Sequence, residues 1–219
     1  MTAVLREMQS LLAGLYDVPG EYDVCDFLVT ERRELSRYIS TPPADEVDEQ
    51  VLVSESDDGV RIGVYIDAGV LDRLASDNPL RKLSDTNLRD YCTALEGVSH
   101  FHYLAWRATH ANPVSLLELE LQAEVDKYAA ATRLLTEQRS GSFPFTLHER
   151  LFHGIRYASG LDGECRARYH VANRHAARFC RGLDERFLRA RRARPEAWLA
   201  ELRGFYRCGH GEKVRRACA

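Results

Sequence analysis

The sequence predicts a mainly α fold, a compact helical domain of about seven helices with one β-hairpin at about residues 50–66. Three observations predict it. Apolar residues recur at helical spacing over most of the chain, a single segment alternates with period two, and Pro, Gly and Asn-Pro breakers separate the periodic stretches. With 219 residues the chain is expected to form one domain, 1–219, with a sizeable core.

Residues 3–16 carry Val4, Met8, Leu11, Leu12 and Leu15 at helical spacing and form an amphipathic helix, without the basic lead and long apolar run of a signal peptide. After Pro19-Gly20, a second helix is expected from about Glu21 to Ile39, with Val24, Phe27, Leu28, Leu35, Tyr38 and Ile39 on one stripe. Thr41-Pro42-Pro43 stops it, and an acidic loop, 44–49, follows. The alternation in 50–54 and 60–66 flanks Asp57-Asp58-Gly59, which marks a hairpin. Such a hairpin is marginal alone and must lie on the helices or pair with another chain. Further helices are expected over Ala68–Ala75, Ser84–His110, Val114–Gln138, Leu147–Ala158, Glu164–Ala190 and Pro195–Tyr206. Proline suits the first turn of the last of these, and the tail after Cys208 is expected to fray.

Charge divides the chain unevenly. The net formal charge is −3, yet residues 164–219 hold 15 Lys+Arg against 6 Asp+Glu, leaving an acidic part over 1–163. Such a split steers an anionic partner to one end, or pulls two halves or two subunits together. No stretch approaches the roughly 20 apolar residues of a membrane span, so no membrane partner is expected. The six cysteines form no CxxC pair and read as reduced thiols of a cytoplasmic protein.

Two long helices carry the chemistry. On 114–138 one apolar sector holds Val114, Leu117, Leu121, Val125 and Tyr128, and a nearly opposite one holds Leu116, Leu119 and Ala123. A helix with two apolar sectors is packed on both sides. Glu120 and Glu124 fall in one gap between the sectors, Glu118 and Gln122 in the other. On 84–110, Leu88, Tyr91, Leu95, His102 and Trp106 mark one face, while Ala94, Gly97, Phe101, Leu104 and Ala108 mark another, small enough for close helix approach. Glu96, His100 and Arg107 run between them. Glu96, His100, Glu120 and Glu124 are therefore the candidate catalytic or metal-binding set, since facing helices can join carboxylates and imidazole around a cation or tune them for acid–base work. The structural alternative is a local Glu96–His100 pair, with Glu120 and Glu124 bound to neighbouring cations. No cofactor and no particular metal are specified.

Other motifs fall short. His148 and His153 are five apart, so on a continuous helix they point away from each other, unlike the HExxH pair. Cys208, His210 and Cys218 lack paired zinc-ligand spacing. There is no phosphate-binding glycine loop or nucleophile elbow.

The helix from Glu164 has an apolar stripe and an opposite face bearing Arg166, His170, Arg174, Arg178 and Arg181. Arginine favours bidentate contact with carboxylate or phosphate. The leading reading is a non-enzymatic binding or adaptor protein that engages an acidic protein surface, or a second subunit of a homo-oligomer, through this face. The runner-up is a metal-dependent or acid–base enzyme using the Glu/His set. An RNA- or DNA-associated factor comes third, because the sequence pI near 6.3 lacks the basic footprint of nucleic-acid binders.

Overall fold

The structure is a computed structural model that describes residues 2–38, 47–56, 59–141, 144–153, 162–189 and 194–218. Along the chain come α1 (Ala3–Tyr16), β1 (Leu28–Val29), β2 (Glu49–Ser56), β3 (Gly59–Ile66), α2 (Ala68–Ser76), α3 (Leu88–Thr109), α4 (Leu116–Gln138), α5 (Leu147–Phe152), α6 (Gly163–Leu183), α7 (Pro195–Arg207) and α8 (His210–Cys218). The fold is mainly α, with eight helices and a three-stranded sheet among the described residues. None of these helices is long and apolar enough to cross a membrane.

Helix α4 is the centre. Sixteen of its 23 residues are buried, which follows from its two opposed apolar sectors. Ser115 starts it by accepting a hydrogen bond from the Glu118 amide. Helix α3 lies along one side, antiparallel: Ser99 meets Asp126 and Tyr103 meets Glu118, so the order reverses between the helices. Helix α6 covers another side with Ala172, Ala176, Phe179, Cys180 and Leu183 buried. One continuous apolar core links residues from α1 through α8.

The hairpin forms with Glu49 opposite Ile66 and Ser56 opposite Gly59; Asp57 and Asp58 of the expected turn lie outside the described residues. The small face of α3 receives this hairpin rather than the helix expected there. A Cβ on Gly97 would sit 2.9 Å from Val64 Cγ1 and 3.1 Å from Glu49 Cγ, so glycine is what permits the approach.

The expected helix over 21–39 is overturned. Residues Val24–Phe27 and Arg32–Arg37 are 3-10 turns, and β1 between them pairs in parallel with β3. Val24 and Leu35 of the expected stripe are fully buried, but in separate clusters rather than on one helical face, and Phe27, Leu28 and Tyr38 are half-buried. The Asp23 carboxylate accepts from the Cys25 amide, a local bond that competes with helix, and the free edge of β3 offers the backbone of Leu28 and Val29 an alternative ladder. Ile39 lies outside the described residues.

The tail is also corrected. Rather than fraying, it forms α8, which packs on α6 and buries Lys213 and Ala217. Helix α3 begins at Leu88, because the Asn87 side chain closes a turn onto the Ser84 amide. Helix α6 ends at Leu183 and continues as a wider π turn over Asp184–Leu188. Residues 154–158 and Ala190 of two expected helices lie outside the described residues. The charge split is partly used within the fold: Arg203 and Arg207 donate to the carbonyls of Gly14, Leu15, Tyr16 and Asp17 at the negative end of α1. All six cysteines are free thiols.

Candidate metal centre

Helices α3 and α4 face each other across the strip that the sequence assigns to ionisable groups. Glu96 and His100, one turn apart on α3, meet Glu120 of α4 so that one potential ligand atom from each lies within 4.8 Å of the others. Glu124, the fourth expected member, stands outside this trio and holds the Lys127 ammonium at 2.8 Å. Lys127 also reaches Glu96 Oε2 at 2.9 Å.

The sequence reading missed three members. Glu49, expected in an acidic loop, opens β2 and places Oε1 3.5 Å from His100 Nδ1. On the other side of the ring, His100 Nε2 lies 3.5 Å from Glu120 Oε2. Arg168 of α6 brings its Nε to 3.9 Å from Glu120 Oε1. The spacing Glu124-to-Lys127, i to i+3, is a sequence signal that could have exposed the lysine. Nothing local could have found Glu49, which the docked hairpin delivers.

His100 is 3% exposed, and neither ring nitrogen has a hydrogen bond. At 3.5 Å the flanking carboxylates attract an imidazolium but are too distant for well-formed hydrogen bonds. Glu49 Oε1 and Arg168 Nε are likewise buried without hydrogen-bond partners. Burial pulls His100 toward the neutral form, yet Glu120 and Glu49 outweigh it and hold its pKa well above the ordinary value. Burial pushes the Glu49 carboxyl up to about 7, against the attraction of His100. Burial also opposes charge on Glu96, but Lys127 and His100 keep its pKa below the usual range. Four carboxylates thus face two permanent cations, Lys127 and Arg168. The shortfall of two positive charges is met by protons on His100 and Glu49, or by one divalent ion.

The outer rim stays accessible: the side chains of Glu96 and Arg168 are 20% and 21% exposed. Arg107, expected on the same strip, turns instead to Glu118 at 3.6 Å. Two grooves, of about 590 and 540 Å³, open elsewhere, and no cluster member lines either.

Arg166, His170, Arg174, Arg178 and Arg181 all lie exposed on α6, as the stripe implies. His148 and His153 depart from the helical-wheel expectation. Because α5 ends at Phe152, His153 leaves the helical path and its ring returns to 6.2 Å from that of His148. Cys208, His210 and Cys218 go to separate partners, Gly204, Ser115 and His175.

No family model, no curated protein and no solved structure matches this chain.

Proposed function

We propose that this chain is a metal-dependent protein that holds one divalent ion between α3 and α4, with Glu96, His100 and Glu120 as ligands and Glu49 orienting the imidazole from its other nitrogen. The observation that carries the reading is the buried His100 ring, unbonded at both nitrogens, inside a trio of donors within 4.8 Å of one another. Carboxylates with one imidazole suit Mn²⁺, Fe²⁺ or Zn²⁺. Lys127 acts as a fixed internal cation on Glu96 and Glu124, so one added divalent charge brings the cluster to neutrality and a second does not. Such an ion supplies Lewis-acid polarisation and an activated water, the basis of metal-assisted hydrolysis. The partly exposed rim at Glu96 and Arg168 is the side from which a substrate reaches it.

The test is calorimetric titration of chelator-stripped protein with Mn²⁺ and with Zn²⁺. One ion per chain is expected, with affinity falling at least tenfold in Glu120→Gln and His100→Gln. Glu118→Gln, on the opposite gap of α4, serves as the control and is expected to bind as the wild type does. Failure of the wild type to bind either ion, or equal binding by folded Glu120→Gln, rejects the proposal. The arginine face of α6 supports a separate binding role.

A further inference from the structure

The groove of about 590 Å³ runs between α5 and α6, and its described lining contains no carboxylate. Arg174, Arg178 and Arg181 form one wall, and Phe152, His148 and His153 contribute rings to the other. These arginines are exposed and make no ion pair with the described residues, although the chain carries 33 acidic residues. Elsewhere in the basic part, arginines are taken up internally: Arg203 and Arg207 on α1 carbonyls, Arg215 and Arg216 on Glu212. Among the described residues, Arg174, Arg178 and Arg181 are left without such a partner, as is Arg166 on the same helix.

We infer that this groove binds a phosphorylated small molecule, its phosphate held by the guanidiniums of Arg174, Arg178 and Arg181 and its ring or apolar part set toward Phe152 and His153. Guanidinium forks match phosphate oxygens two at a time, which a lysine cannot do. The volume falls in the range of small-ligand sites, roughly 300–1,000 Å³, rather than that of a flat protein interface. A nucleic acid fits less well, because the chain as a whole is acidic, with a sequence pI near 6.3. Positive potential also registers on the groove's own histidine. Burial is the main cause of the lowered pKa of His148, and Arg181, His153 and Arg189 lower it further.

The inference is independent of the metal centre, and its test is run in chelator so that no ligand is retained through an ion. The full chain is titrated calorimetrically with pyrophosphate, ADP and adenosine. Pyrophosphate and ADP are expected to bind saturably, ADP more tightly and adenosine undetectably. The double variant Arg174→Gln with Arg178→Gln is expected to weaken both at least tenfold with its circular dichroism unchanged, while Glu120→Gln binds as the wild type does. Parallel titrations use poly-glutamate and single-stranded RNA. Absence of saturable pyrophosphate and ADP binding, or undiminished binding by the double variant, overturns the inference. Binding of poly-glutamate or RNA without either phosphate ligand also overturns it, and assigns the groove to a macromolecule.

Discussion

The two gaps between the apolar sectors of α4 carry similar residues, and the fold treats them differently. In one gap, Asp126 accepts hydrogen bonds from Tyr16, from Ser99 at 2.6 Å and from Gln122 at 2.6 Å. Glu118 accepts from Tyr103, and the fully buried Lys213 donates to Gln122 inside a ring of Tyr103, Phe205 and Tyr206. Among the described residues there, every buried carboxylate and the Lys213 ammonium have a hydrogen bond, while Arg107 Nε and the Tyr206 hydroxyl lack one. In the other gap, both nitrogens of His100, Glu49 Oε1 and Arg168 Nε lack one. Buried polar groups are nearly always satisfied, because the cost of leaving one unmade is about 1–3 kcal/mol. A satisfied network anchors helices to one another. An unsatisfied one, with donors converging on a point, is shaped for something that completes it.

The sharpest way to break this comparison is to remove one carboxylate from each gap in metal-free protein. Asp126→Ala leaves three donors without their acceptor and is expected to cost about 3–5 kcal/mol in urea denaturation. Glu120→Ala relieves crowding among carboxylates and is expected to cost less than about 1 kcal/mol, or to stabilise. Equal losses at the two positions would erase the distinction.

Lys213 sharpens the contrast through pH. Burial lowers its pKa to about 7, opposed by Asp126 and Glu118, so between about 7 and the ordinary 10.5 the unfolded chain binds the extra proton. Its contribution to stability is therefore fully present above 10.5 and is lost as pH falls to about 7, at most about 1.4 kcal/mol per pH unit. Asp126 works in the opposite sense. Burial raises it to about 6, so its contribution is present below 3.8 and is lost as pH rises through about 6. The difference in unfolding free energy between wild type and Lys213→Met, followed from pH 6 to 10, is expected to shift in favour of the wild type as pH rises. A flat difference would place the ammonium in contact with solvent.

Two smaller effects separate the regions further. Gly97→Ala puts a methyl against Val64 and Glu49 and is expected to cost about 1–3 kcal/mol, together with a loss of metal affinity as Glu49 is pushed from His100. Thermal unfolding and metal titration of the same variant check both. Ser115→Ala removes the α4 cap and the 2.8 Å contact to His210 of α8, and is expected to cost about 1 kcal/mol while leaving metal affinity unchanged.

Much of this was legible in the residues. The opposed sectors of α4 implied a helix buried on both sides, and with it the placement of Glu120, Glu124, Glu118 and Gln122 in two separate strips. The i, i+4 spacing of Glu96 and His100 put them on one strip of α3, and three of the four expected site residues do meet. The segment 21–39 was misread because amphipathic spacing over short stretches does not distinguish helix from 3-10 turns around a strand. The tail was misread because Lys213 scores as polar, whereas an aromatic ring and one amide oxygen accommodate its ammonium inside the fold.

By itself, then, the sequence determined the helical class, the central pair of helices, the strips on which ionisable groups lie and the arginine face of α6, because each follows from a local period of 3.6 residues. Tertiary structure alone decided that the hairpin docks on Gly97 and brings Glu49 to His100, that Lys127 sits on Glu96 and Glu124, that α5 and α6 enclose a groove along the arginines, and that α8 folds back with Lys213 inside. Those outcomes depend on contacts between residues far apart in the chain, which no window of local pattern contains.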